Sequence, residues 1–325
     1  MAGSTDVAKV YERFISLVRE VHWLNRISDL LSWDQQVMMP PKGVSARSEQ
    51  YAVLSGLAHD RLAGNEMADL LAHLEAHSDE LDEDQRVNVR EVRRSHDRAR
   101  KVPRELIQEI VTTEGLSQKH WLEAKQKDDF SIFAPWLEKM VALKRRVADA
   151  IGYEKTPYDP LLDEFEPHTT SEEVAGVLEG LKPALVELVR RIESSSIRPR
   201  REILERSFPI AKQEEFGAWI VRLMGFDFEA GRIDRSPHPF CSGANGDVRI
   251  TTRYKEDYIP ASLFGLMHET GHGLYDQGLD PKHEGTPRGF TVSLGVHESQ
   301  SRLWENLVGR SMHFWRFAFP FLQAF

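Results

Sequence analysis

The sequence predicts a mostly α-helical protein with a large helical body and one small antiparallel hairpin near residues 236–257. Three observations carry the helical body and the hairpin. Apolar residues recur at helical spacing through most of the 325 residues. One stretch, "DVRITTRY", is rich in β-branched residues and follows a turn cluster, "GANG". No internal repeat or low-complexity linker divides the chain. Residues 1–325 are therefore expected to form one body: a helical region over 1–235, then the hairpin and motif-bearing helices over 236–325.

The elements follow in order. Val7, Val10, Phe14, Leu17, Val21, Leu24 and Leu31 make a helical stripe that Pro40 and Pro41 stop. From about Ser45, a second helix carries Tyr51, Leu54, Ala58 and Leu62 on one face. "DEDQRVNVREVRRSHDRARK" has few apolar positions and is expected as an exposed or solvent-bridging helix. Pro103 suits the first position of a helix bearing Ile107, Ile110 and Val111. "FAPWLEKMVALKRRVADAIG" is a further helix, with Gly152 as a left-handed cap. Ser171 with Glu173 opens a strongly amphipathic helix in which Pro183 can introduce a kink. Another helix is expected over Gln213–Met224.

The formal net charge of −9 argues against nucleic acid as the main partner, because phosphate binding needs a basic face. The lone cysteine, Cys241, cannot form an internal disulfide, which points to a reducing compartment. "MAGSTDVAKVYERF" has no apolar signal core, and no run of about 18 apolar residues occurs. A cytoplasmic protein without a membrane partner is expected.

Chemistry concentrates in "LFGLMHETGHGLYDQG", bracketed by Pro260 and Gly278 as helix start and stop. His268 and His272 lie one turn apart, so both imidazoles leave one helix face, a geometry that suits two ligands of a tetrahedral zinc ion. Glu269 is offset from that face by one position. It can reach a metal-bound water without ligating the metal, which suits a general base. Gly271 and Gly273 each cost about 1 kcal/mol of helix propensity, so they fit where another backbone or a substrate comes close. A third ligand should come from a separate element. Glu298 in "SLGVHESQSRLWENLVG" is the candidate and adjacent His297 the rival; their side chains diverge by about 100° on a helix. Glu298 also has the spacing of an i,i+4 ion pair with Arg302.

With those residues in place, the chain resembles the thermostable carboxypeptidase Taq family of metallocarboxypeptidases. The resemblance rests on four ordered motifs: "HPF" at 238–240, "DVRIT" at 247–251, "HETGH" at 268–272 and "HESQ" at 297–300. "LLSWDQQVMMPPKG", "YDPLLDEFEP" and "GTPRGFTVSLGVHESQSRLWEN" extend it over essentially the whole chain. It implies a helical metallopeptidase with a long groove and a metal held by His268, His272 and Glu298. Glu269 is then the base, and the ion is zinc or cobalt. The implied activity is removal of single residues from peptide C-termini, by a homodimer. It also implies that His238 and Phe240 line the groove and that Arg249 lies near the active centre.

Read from the residues alone, His238 sits on an extended edge open to β-augmentation, or is a turn histidine. Arg249 is a candidate cation for a substrate carboxylate, or a structural partner of Asp247. Cys241 is expected as a small buried thiol rather than a nucleophile. Two family motifs that carry substrate-carboxylate binding and part of the groove wall do not occur before Phe325. The chain is thus expected to correspond to the N-terminal two-thirds of the family fold. The alternative function is a catalytically incomplete metal-binding fragment that assembles with a separate C-terminal half.

Overall fold

The computed structural model describes residues 2–325, with side chains from Asp6 onward. Helix α1 (Ala2–Val37) runs up to the Pro40–Pro41 stop. Val7, Phe14, Leu17 and Val18 of α1 are buried against Met67, Leu71 and Leu74 of α3 (Asn65–Ala76). Between them, α2 (Val44–Ala63) packs along α1.

The charged segment forms α4 (Glu83–Lys101), opened by a capping box between Asp82 and Gln85. It is not the solvent-bridging helix expected. Val89 and Val92 join the α1–α3 core, and Asn88 and His96 are also buried. Its arginines satisfy themselves at the margins, Arg93 on Glu75 and Arg94 on Asp163. A short apolar stripe suffices to seat one face of this charged helix in the core.

Pro103 is the N-cap of α5 (Arg104–Lys127), so that helix begins one residue later than expected. Helix α6 (Ala134–Ile151) ends on Gly152, whose φ of 87° is open to glycine at no cost. After the single turn α7 (Asp159–Leu162), α8 (Ser171–Ser194) begins with a capping box made by Thr170, not Ser171, with Glu173. None of the residues of α8 is buried, although Val177, Leu178, Leu181, Leu185 and Ile192 form its apolar face.

Helix α9 (Ile210–Leu223) precedes a three-stranded sheet of β1 (Gly231–Arg235), β2 (Cys241–Ala244) and β3 (Asp247–Thr252). β2 and β3 form the expected antiparallel hairpin, closed by Asn245 and Gly246, with φ 85° at Gly246. β1 was not expected. It lies parallel on the other side of β3, pairing Gly231 with Val248 and Ile233 with Ile250. "GRIDR" holds a single large apolar residue, too little alternation to read as a strand.

Val248 and Ile250 of central β3 are fully buried beneath α10 (Ile259–Gln277). Helix α11 (Leu294–Arg302) crosses α10 and continues as a π-helical stretch, Leu303–Val308. Helix α12 (Met312–Ala324) folds back on α9, with Phe321 and Phe317 against Trp219. Among the described residues, no helix is long and apolar enough to cross a membrane.

A candidate metal centre between α10 and α11

The site forms where α10 and α11 touch backbone to backbone. A Cβ at Gly271 would stand 2.6 Å from both the Gln300 carbonyl oxygen and Ser301 Cα. At Gly273 it would stand 2.8 Å from the Phe226 ring and 3.3 Å from Ile250, on the sheet side. The two helix-weakening glycines thus let α10 be pressed from opposite sides. One contact brings α11 close enough for Glu298 to reach the histidines.

His268, His272 and Glu298 converge, with one ligand-type atom from each lying within 4.8 Å of the other two. Glu298 Oε2 is 3.5 Å from His268 Nε2 and 3.3 Å from His272 Nε2. Ligands held tetrahedrally at about 2.0–2.1 Å from one ion stand about 3.3–3.4 Å apart. The donor set and both measured edges therefore fit a zinc-like ion. The His268 Nδ1 atom lies 2.9 Å from Glu305 Oε2; a carboxylate only accepts, so Nδ1 carries a proton, and in the neutral ring Nε2 keeps the free lone pair.

His297 is not among the converging atoms. Its ring stacks on His272, with centroids 4.4 Å apart and planes 14° from parallel, and its Nε2 donates to Asp276 at 3.0 Å. Glu298 faces the histidines with Oε2, while Oε1 accepts from Arg302 Nε at 2.7 Å. The i,i+4 pair and the convergence on the histidines therefore coexist, one on each carboxylate oxygen.

Electrostatics match this arrangement. Burial lowers His272 to about 4, with His297 and His268 adding to the effect, so its imidazole is neutral and able to ligate. Burial would raise Glu298, but the Ser301 hydroxyl, His268 and Arg302 more than offset it and keep it ionised below the usual range. Glu269 is buried, and burial followed by the Glu298 and Glu305 carboxylates pushes it up to about 8. A carboxyl poised near neutrality beside two histidines is able to take and return a proton.

The remaining predicted residues sit on the sheet side. His238 is exposed, edge-on to Trp121 with ring centroids 6.4 Å apart. It lies in the connection from β1 to β2 rather than on a strand edge: Pro237 and Pro239 remove two N–H donors, and Ser236 Oγ donates to the His238 carbonyl. Pro239 Cγ would stand 3.7 Å from a Cβ at Gly265, about one turn ahead of Glu269, so this connection packs on α10. Partly buried Phe240 is tied down through its backbone to Thr251. Arg249 is bidentate to Asp247, at 2.8 and 3.0 Å, and its guanidinium lies 4.2 Å from the centre of the Trp33 ring. Cys241 is partly covered; burial and nearby Asp276 raise its thiol well above the ordinary range, as expected of an inert cysteine.

Residues 13–325 match the family described as Carboxypeptidase Taq (M32) metallopeptidase. The chain belongs to that family. Thermostable carboxypeptidase 1 of Thermus thermophilus is 42% identical over 323 residues, covering 95% of this chain and 63% of that protein. Carboxypeptidase 1 of Bacillus subtilis is 34% identical over 307 residues, covering 94% of this chain and 61% of that protein. The M32 carboxypeptidase structure from Deinococcus radiodurans R1 aligns with a TM-score of 0.84 at 36% identity. That alignment covers 97% of this chain and 65% of the other. This M32 chain therefore spans somewhat less than two-thirds of the length of the relatives it matches.

Glu305 and Trp33 escaped the sequence reading. Glu305 lies 37 residues from His268, on a π-helical stretch that no pattern announces. Trp33 reaches Asp234 across 201 residues, and only the quoted "LLSWDQQ" context hinted at it.

Proposed function

We propose that this M32 chain provides the metal centre of a carboxypeptidase that hydrolyses single residues from peptide C-termini. The observation that carries this is the convergence of His268 Nε2, His272 Nε2 and Glu298 Oε2 beside buried Glu269. In this reading those three side chains hold one divalent ion, zinc first and cobalt as the alternative. When bound, the ion supplies an acidified water and polarises the scissile carbonyl. Glu269 takes the water proton on its carboxylate and returns it to the leaving amine. Its raised pKa in the metal-free protein falls when a dication sits beside it, leaving a base that is ionised near neutrality.

His238 and Phe240 belong to the groove wall in this proposal, because their connection overlies α10 ahead of Glu269. Arg249 has two of its nitrogens committed to Asp247, so it offers a substrate carboxylate at most its remaining Nη1 edge. A cytoplasmic location, read from the lone cysteine, and a homodimer, implied by the family resemblance, accompany the reading.

The test is turnover of a C-terminally labelled peptide by zinc-loaded protein and by its Glu269→Gln variant. The proposal expects metal retained in both and cleavage lost in the variant. Equal cleavage by both removes Glu269 from the chemistry.

One observation favours a second reading. The apolar face of α8 is exposed along its whole length, with Val177 72% and Ile192 61% accessible. In that reading the chain binds metal but turns over peptide only when joined by the part of the fold that fills the relatives' remaining length. It expects stoichiometric zinc, negligible turnover by this chain, and rescue when that part is added in trans. Full activity of monomeric chain excludes it.

A further inference from the structure

We propose that Glu305 is the positioning residue of this centre, fixing the tautomer and ring orientation of His268 that turn Nε2 toward His272 and Glu298. This inference rests on the metal-site reading above and adds the group that prepares one ligand before any ion arrives.

The Glu305 side chain is only 13% exposed, and its Oε2 accepts from His268 Nδ1 at 2.9 Å. Without that acceptor a neutral imidazole divides its proton between both nitrogens. In the Nε2–H form, the atom facing Glu298 has no lone pair to give a metal.

Glu305 is itself held from two sides. Arg310 Nη2 donates to Oε1 at 2.7 Å and Arg302 Nη1 to Oε2 at 3.1 Å. Arg302 also donates from Nε to Glu298 Oε1 at 2.7 Å. One guanidinium therefore locks the ligating carboxylate and the orienting carboxylate to each other. The backbone contributes as well. The π-helical turn closes with the Gly309 amide donating to the Trp304 carbonyl, five residues back, at 2.8 Å. Gly309 then seats against Met267, the residue before His268; a Cβ there would stand 2.8 Å from its sulfur.

The device is specific to His268. The Nδ1 atom of His272 is buried with no hydrogen-bond partner among the described residues, and that ring is held by stacking on His297. Two ligands one turn apart are thus supported by different means, a charged hydrogen bond and an aromatic face.

The test compares the parent with Glu305→Ala, Glu305→Gln and Glu305→Asp. Zinc affinity is read by competition with a chelating dye. The His268 tautomer is read in metal-free protein from ¹⁵N-histidine NMR, and folding from circular dichroism. In the parent, His268 carries its proton on Nδ1. Glu305→Ala moves it toward Nε2 and weakens zinc about 10–100-fold. Glu305→Gln keeps a carbonyl acceptor and recovers most of both. Glu305→Asp keeps the charge but falls a methylene short, and loses affinity as Ala does; it decides the matter if the Ala variant does not fold. Folded Ala and Asp variants with the parent's tautomer and affinity overturn the proposal. A parent that binds no zinc overturns the metal-site reading instead, while the tautomer still tests Glu305.

Discussion

Gly271→Ala probes the contact on which the site depends. The added methyl would stand 2.6 Å from two backbone atoms of α11, about 0.8 Å inside ordinary contact. Neither atom can swing aside as a side-chain end would, so α11 must move as a unit and carry Glu298 with it. Overpacking of this kind costs about 1–3 kcal/mol, and backbone contacts on two atoms place it at the upper end. Alanine returns about 1 kcal/mol of helix propensity, leaving a net loss of about 2 kcal/mol. Metal ligands tolerate displacements of about 0.2 Å, so a shift several times larger should weaken zinc at least tenfold. Urea unfolding and dye-competition titration measure the two effects. Gly180→Ala is the control: nothing lies within 4 Å of its Cβ, on exposed α8, so it should stabilise by up to about 1 kcal/mol and leave zinc affinity alone. A Gly271→Ala protein as stable as the parent, with unchanged affinity, refutes the close-packing argument.

Other outcomes are expected. Glu269 has a folded pKa of about 8, above its ordinary 4.5, so its contribution to metal-free stability is complete below 4.5 and lost as pH rises to 8. Between pH 5 and 8 the metal-free parent should lose about 3–5 kcal/mol more than Glu269→Gln; parallel pH profiles contradict this. Trp33→Ala should cost about 3–5 kcal/mol in urea unfolding, because the buried indole donates to Asp234 and packs against Arg249 and Arg232. Asp82→Ala breaks the capping box of α4 and should cost about 1 kcal/mol; a change under a few tenths would show that the cap is idle.

Most of the helices were legible because each keeps a 3.6-residue apolar period and ends at a proline, glycine or capping residue. The histidine pair was legible for the same geometric reason: one turn separates the side chains. Gly271 and Gly273 announced close approaches, but the sequence gives no hint that their neighbours are α11 on one side and the Phe226 ring on the other. Which of Glu298 and His297 converges on the histidine pair depends on where α11 crosses, since either side chain has the chemistry. Helix α4 misled because composition does not count salt bridges. β1 is held by its parallel neighbour rather than by its own alternation. Glu305 and Trp33 act across long sequence separations, where no local period reports a contact.

The account stands on one coordination sphere, and diffraction at the zinc edge from crystals grown with zinc tests it most directly. A single anomalous peak is expected within about 2.0–2.2 Å of His268 Nε2, His272 Nε2 and a Glu298 carboxylate oxygen. A peak elsewhere, or none with zinc in excess, contradicts it.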